Sequence, residues 1–295
     1  MTALAELIQT IITGVSVGCI YALVALGLVM LFKATEVFSF LHGEFLMLGA
    51  FFAYSLITFL NINYIIAFAI SVIATGVLGI LVERLTIRPL IGQPVYSIII
   101  LTVGLGYVGR AIASMMPGWG TDTYGLKTPF ADKYLRSGEL VIAQDHFFII
   151  VATVVLILAL GLFFRYTKAG VAMRATSQNQ LAAVYMGISV NRVFSLTWCI
   201  SAALGGIAGI LVSPITFVHM NMGFFVIKAF PAAVLGGFSS VPGAIVGGII
   251  IGVAESISGF YLPQGWKDIT AWLILIVILL IRPQGLFGIQ EKKKV

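Results

Sequence analysis

Charge is what this chain has least of. Asp, Glu, Lys and Arg make up 9% of its 295 residues, against about 25% in ordinary soluble domains. A water-soluble fold of that composition would leave extended apolar surface exposed, so a soluble globular domain is excluded. Cysteine is nearly missing as well. Cys19 and Cys199 both lie within apolar runs; they read as small packing residues, and a disulfide framework is excluded. The glycine-rich stretch from Gly236-Gly237 to Gly243 lacks the pattern Gly-x-x-x-x-Gly-Lys-Ser/Thr, as does the rest of the chain. No phosphate cradle is therefore expected. No Ser/His/Asp, Cys/His or metal-ligating set converges in the sequence, so the chain is expected to be no enzyme and to hold no cofactor or metal. Basic residues exceed acidic ones, 17 to 11, but they are scattered between apolar runs. They read as orientation signals, and no nucleic-acid partner is expected.

Apolar sequence is what remains, at 60% of the chain. Residues 10–32, 45–82, 146–164, 193–217 and 269–281 contain no Asp, Glu, Lys or Arg. A hydrocarbon core about 30 Å thick needs roughly 20 apolar residues of helix to cross it, and without water every backbone group must be satisfied within the helix. The expected fold is all-α: a polytopic membrane protein of eight or nine transmembrane or half-spanning helices, one permease-like domain over residues 1–295. The expected spans are 10–32, 43–60, 62–83, 94–116, 146–166, 193–217, 222–238, 242–260 and 267–283. The polar notch Asn61-Ile62-Asn63 suits a tight turn. Segment 222–238 is short, contains Lys228 and Pro231 and ends at Gly236-Gly237, which suits a broken or re-entrant helix covered by protein. The first run is longer than a signal-peptide core and has no basic flank, so it is expected to be a retained span.

Positive charge sets direction. With the C-terminus in the cytoplasm, nine spans put the N-terminus outside. The inner segments then hold eleven basic residues: Lys33, Arg84, Arg88, Arg165, Lys168, Arg174, Arg192, Arg282 and Lys292–Lys294. The outer segments hold five, Arg110, Lys127, Lys133, Arg136 and Lys267, as the positive-inside rule requires. Asp122, Asp132, Glu139 and Asp145 fall in the long outer loop, 117–145. The polar inner stretch 167–192 has Ala and Leu at helical spacing, with Gly187 as a stop. One or two short amphipathic helices at the membrane surface are expected there.

Three internal segments and the C-terminal tail carry a resemblance. They are FSFLHGEFLMLGA (38–50), RATSQNQLAAVYMGISVNRVFSLTWCISAALGGIAGIL (174–211), KAFPAAVLGGFSSVPGAIVGGIIIGVAE (228–255) and RPQGLFG (282–288). Together they resemble the permeases of ABC importers for branched-chain amino acids, in particular the first of the two permease subunits of the high-affinity leucine/isoleucine/valine type. Two departures stand out: Ser39-Phe40-Leu41-His42-Gly43 where the family has Asn-Phe-Ala-His-Gly, and Gly236-Gly237-Phe238-Ser239-Ser240 where it has Gly-Gly-x-Gly-Ser. Permeases for urea and short amides share these motifs and stay open as alternatives. The resemblance implies a bacterial inner-membrane protein. It implies four partners beside membrane lipid: a second permease, two cytoplasmic ATPase subunits and a periplasmic binding protein. It also implies that 167–192 is the element docked by the ATPase, with Ala182, Ala183 and Gly187 as a small-residue core beside Leu181, and Arg174 and Gln178 on the rim.

Other residues read both ways. Gly14/Gly18, Gly205/Gly209, Gly243/Gly247 and Gly248/Gly252 have small-xxx-small spacing, which serves tight packing or sliding helices. Glu255 and Lys228 lie within expected spans and serve as an interhelical latch or a polar path lining. An ion-coupled secondary carrier would have only these two to work with. His42 and Glu44 stand at the inner start of a span, where Ser39 as N-cap and Glu44 on the helix dipole explain them more simply than a metal site does. Residues 18–50 and 198–233 both run Cys-Ile-x-Ala-Leu (Cys-Ile-Ser-Ala-Ala in the second) to a His-bearing break, a faint internal repeat of the kind transporters use.

Overall fold

Uncharged runs of this length have one way to satisfy their backbone, and the computed structural model is built almost wholly of helices. It describes residues 3–35, 38–130, 133–137 and 140–288. Asp132, Glu139 and Lys292–Lys294, used above for orientation, lie outside the described residues. The helices are α1 (Ala3–Thr35), α2 (His42–Thr58), α3 (Tyr64–Val82), α4 (Val95–Met115), α5 (Gln144–Tyr166), α6 (Lys168–Gln178), α7 (Gln180–Tyr185), α8 (Val190–Thr216), α9 (Phe225–Gly236), α10 (Val241–Tyr261) and α11 (Trp266–Ile281). All nine expected spans fall on helices. Six helical stretches are long and apolar enough to cross a bilayer: α1, α3 with its short extension to Leu90, α4, α5, α8 and α10. The helices α2, α9 and α11 are shorter. α9 spans only 12 residues, about 18 Å at 1.5 Å per residue. It follows a 3₁₀ turn, Met220–Phe224, and contains Pro231.

Helix starts follow local chemistry. The side chains of Asn63, Thr167, Asn179 and Ser240 each accept a backbone N–H in the first turn of α3, α6, α7 and α10. Ser39 does not act this way. Leu41 is the residue that precedes α2, and no side chain caps that helix. The expectation fails because Leu41 and Phe45 are drawn into the core with Trp198, leaving Ser39 buried and too far back to reach the first turn. The loop between α4 and α5 carries an element the sequence reading did not name. Strands β1 (Tyr134–Ser137) and β2 (Leu140–Ala143) pair antiparallel, Tyr134 opposite Ala143, and β2 runs straight into α5.

The chain divides into two compact units, one made of Met1–Val29, Phe130–Ile150 and Phe225–Val295, the other of Met30–Pro129 and Val151–Phe224. In the first unit α1 crosses α10 at backbone contact. A Cβ on Gly252 would collide with Gly18, and one on Gly248 with Ala22, so two of the small-residue pairs interlock with one another. Gly243 and Gly247 of α10 meet Gly236 and Ala232 of α9. In the second unit α8 packs against both α2 and α3. Gly206 lies on Gly49, Gly209 on the Leu46 carbonyl, and Gly205 beside His42 and Phe45. Small side chains let backbones approach where lipid supplies no hydrophobic drive.

Candidate functional site

Within the second unit, Glu44 of α2 and Arg110 of α4 form a bidentate pair. Arg110 Nε donates to both carboxylate oxygens at 2.9 and 3.1 Å, and an Nη lies 2.7 Å from Oε1. The Phe224 ring faces the guanidinium, 4.7 Å from its centroid. Gly106 leaves the space that the Glu44 carboxylate fills. Two residues before Glu44, His42 Nδ1 and Ser201 Oγ lie 3.1 Å apart in a hydrogen bond. The packing places the start of α2 beside the later turns of α4. Gly106 and Arg110 stand 11 and 15 residues beyond Val95 on α4, about 16 and 22 Å along its axis at 1.5 Å per residue. The first turn of α2 thus lies against the second half of α4, where Leu41 and Phe45 anchor it to Trp198. Arg110, counted above with the outer segments, belongs to a helix interior.

In the first unit, Lys228 of α9 joins Glu255 of α10 at 3.0 Å and Asp268 of α11 at 2.6 Å. Tyr21 of α1 donates its hydroxyl to the other Glu255 oxygen at 2.5 Å. Four helices thus meet on one carboxylate and one ammonium. Tyr21 and Glu255 are buried and Lys228 is one-third exposed. Such a cluster is satisfied as it stands, and removing one member would leave a buried charge uncompensated.

A third cluster escaped the sequence reading. α3 continues as a π turn, Glu83–Ile87, and then a short 3₁₀ turn, Arg88–Leu90. The wider turn brings Arg88 round to Glu83, with Nε–Oε1 2.9 Å and Nη2–Oε2 2.8 Å. The same guanidinium donates to Ser195 Oγ at 2.7 Å and the Asn191 carbonyl at 3.2 Å, and Ser195 donates to Glu83 at 2.7 Å. The start of α8 is thereby clamped to the end of α3. Arg88 had been read only as an orienting charge. The signal available was a Glu and Arg five residues apart, a spacing that faces inward only if the helix widens.

Just before that clamp lie α6 and α7. Gly170, Met173 and Thr176 of α6 turn inward, Gly170 against the end of α5. Gln180 of α7 reaches the Ala34 carbonyl at the end of α1. α7 ends in a complete Schellman motif: Ile188 N–H bonds the Ala183 carbonyl, Gly187 N–H bonds that of Val184, and Gly187 has φ +79°, a left-handed conformation that favours glycine. The small residues do not share one face. Ala183 is buried, whereas Ala182 and Gly187 are exposed along with Arg174 and Gln178. What α7 and its cap present outward is Leu181, Val184, Tyr185 and Met186. Among the described residues, no three His, Cys, Asp or Glu side chains gather as a metal site.

Comparison with known proteins gives these features a context. Residues 10–280 match a family model described as the permease component of branched-chain amino acid transport systems. The high-affinity branched-chain amino acid transport system permease protein BraD of Pseudomonas aeruginosa is 33% identical, with 98% of each chain covered. LivH of Escherichia coli K12, a permease protein of the same description, is 31% identical over 98% of this chain and 97% of its own. Among solved structures, PsaBC from Streptococcus pneumoniae in complex with Fab superposes with a TM-score of 0.52 over 95% of this chain and 97% of that one, at 16% identity, a likeness of fold.

Proposed function

The chain belongs to the family of permease components of branched-chain amino acid transport systems, and from that premise we propose that it forms the membrane path of an ATP-driven importer for branched-chain amino acids. It does so as a single permease domain, beside a second permease chain and with two separate ATPase chains. A soluble binding protein delivers substrate. The chain performs no catalysis itself. It sits in the bacterial inner membrane with its N-terminus outside and its C-terminus in the cytoplasm, the orientation favoured by the positive charge of the inner segments.

The observation that carries the reading is the outward face of α7. A short helix fixed at one end by an Asn179 cap and at the other by a Schellman turn holds Leu181, Val184, Tyr185 and Met186 to the exterior. Apolar and aromatic residues ringed by Arg174 and Gln178 make an interface core with a polar rim. Its neighbour in sequence, α8, is locked to α3 through Arg88, Glu83 and Ser195, so force applied at α7 reaches the helices that pack on α2. An ion-coupled carrier gains no support from the two charge clusters. Glu44 and Glu255 are each already paired, and coupling needs groups free to exchange ions within the membrane.

The test is reconstitution of the full importer in proteoliposomes. With ATP on the cytoplasmic side, uptake of leucine, isoleucine and valine is expected. An ion gradient without ATP should drive none. Uptake by the gradient alone, or preference for urea or short amides over leucine, would overturn the proposal.

A further inference from the structure

The surface of the first unit carries an open recess of about 480 Å³ that none of the clusters above occupies. Three helices wall it. α1 contributes Glu6, Thr10 and Thr13, α10 contributes Ser256 and Phe260, and α11 contributes Lys267. The volume lies in the range of about 300–1,000 Å³ usual for small-molecule sites.

Its charges are what single it out. Among the described residues, neither Glu6 nor Lys267 takes part in an ion pair. The charged neighbours are already satisfied: Glu255 by Tyr21 and Lys228, Asp268 by Lys228, with the Lys267 charge also acting on Asp268 from a distance. The recess thus keeps one carboxylate on α1 and one ammonium on α11, out of contact with each other. The Thr13 and Ser256 hydroxyls, the Gln9 side chain and the Phe260 ring also line it. A ligand complementary to this lining carries an ammonium, a carboxylate and an apolar branch. Glu6 is half-buried and Lys267 exposed, so their preference for a zwitterion is one of charge complementarity, a ligand with both charges gaining two attractions and a ligand with one gaining a single one.

We propose that this recess is a subsite for a free aliphatic amino acid, with its ammonium toward Glu6, its carboxylate toward Lys267 and its side chain on Phe260. The proposal rests on the permease reading and adds a place where the permease itself holds substrate. The ethanolamine phosphate headgroup of a lipid shares the zwitterionic chemistry, so the test separates the two sources.

The assembled importer is prepared with Cys19→Ala and Cys199→Ala, and a single reporter, Thr13→Cys, is labelled by a small charged thiol reagent. A second reporter, Ser256→Cys, serves if the first impairs assembly. In phosphatidylcholine and phosphatidylglycerol, leucine at ten times its Kd is expected to slow labelling about tenfold. N-acetyl-leucine and leucinamide, each missing one charge, should not protect. Glu6→Gln or Lys267→Gln should each abolish protection by leucine. Absence of protection in a preparation that still imports leucine would overturn the subsite and leave the importer reading standing. Equal protection by N-acetyl-leucine would overturn it too. Protection that appears only when phosphatidylethanolamine is added would reassign the recess to lipid. A preparation that imports no aliphatic amino acid, yet shows leucine protection, would support the subsite and count against the importer reading.

Discussion

At the scale of single residues, the informative side chains are those the membrane should reject. Glu44 of α2 and Arg110 of α4 share three close N–O contacts. Losing one partner leaves the other charge buried, at a cost of about 3–5 kcal/mol. Glu44→Ala is therefore expected to destabilise the permease in detergent by that order, read from its unfolding midpoint. The double variant Glu44→Leu/Arg110→Leu should recover most of the loss, since no lone charge remains. A Glu44→Ala protein as stable as the parent would show that the pair carries no weight. The sequence disclosed Glu44 but not its partner. Arg110 looks like a rim charge because nothing local reveals that the first turn of α2 packs against it.

Elements tell a different story, since helix contacts here are made by what is missing from side chains. A Cβ on Gly252 would meet the Gly18 backbone, which cannot step aside. Overpacking of this kind costs about 1–3 kcal/mol or more. Gly252→Leu should lower the yield of folded permease recovered by size-exclusion chromatography. Gly109→Ala on α4, where a Cβ meets nothing within contact range, should be indistinguishable from the parent. The spacing of these glycines was legible in the sequence; that Gly14/Gly18 and Gly248/Gly252 face one another was not, because a pattern names a surface without naming its mate. α7 offers the reverse case. The sequence located the element, but its outward residues are large where the resemblance implied a small-residue seat, and only the burial of Ala183 reveals this. Tyr185→Asp and Leu181→Asp put charge into an apolar contact. Each should reduce substrate-stimulated ATP hydrolysis of the assembly by about tenfold or more, as expected for an interface anchor worth 1.4 kcal/mol or above. Unchanged stimulation would separate α7 from the motor. The suspected repeat also has an echo at this scale: α1 and α2, like α8 and α9, form a long helix, a break with a histidine beside it, and a shorter helix.

For the whole molecule, the membrane class and the nine helical segments followed from where charge is withheld, and the short helices of 167–192 from Ala and Leu at helical spacing. The β-hairpin and the π turn did not, because no apolar period marks either of them. Of the ionic clusters only the Lys228–Glu255 latch was within reach of the sequence, since Arg110 and Ser195 come to Glu44 and Glu83 from distant parts of the chain. The longest helix deserves a separate consequence. α1 runs unbroken for 33 residues, about 50 Å, while the hydrocarbon layer measures about 30 Å. A rod of that length must lean, protrude or thicken the lipid around it, each at some fraction of a kcal/mol per Å of mismatch. Import measured in dimyristoyl and dioleoyl vesicles is expected to be slower in the thinner film. Acyl-chain length would then act as a dial on the permease, set by the cell through its lipid synthesis and sensed along the flank of its first helix.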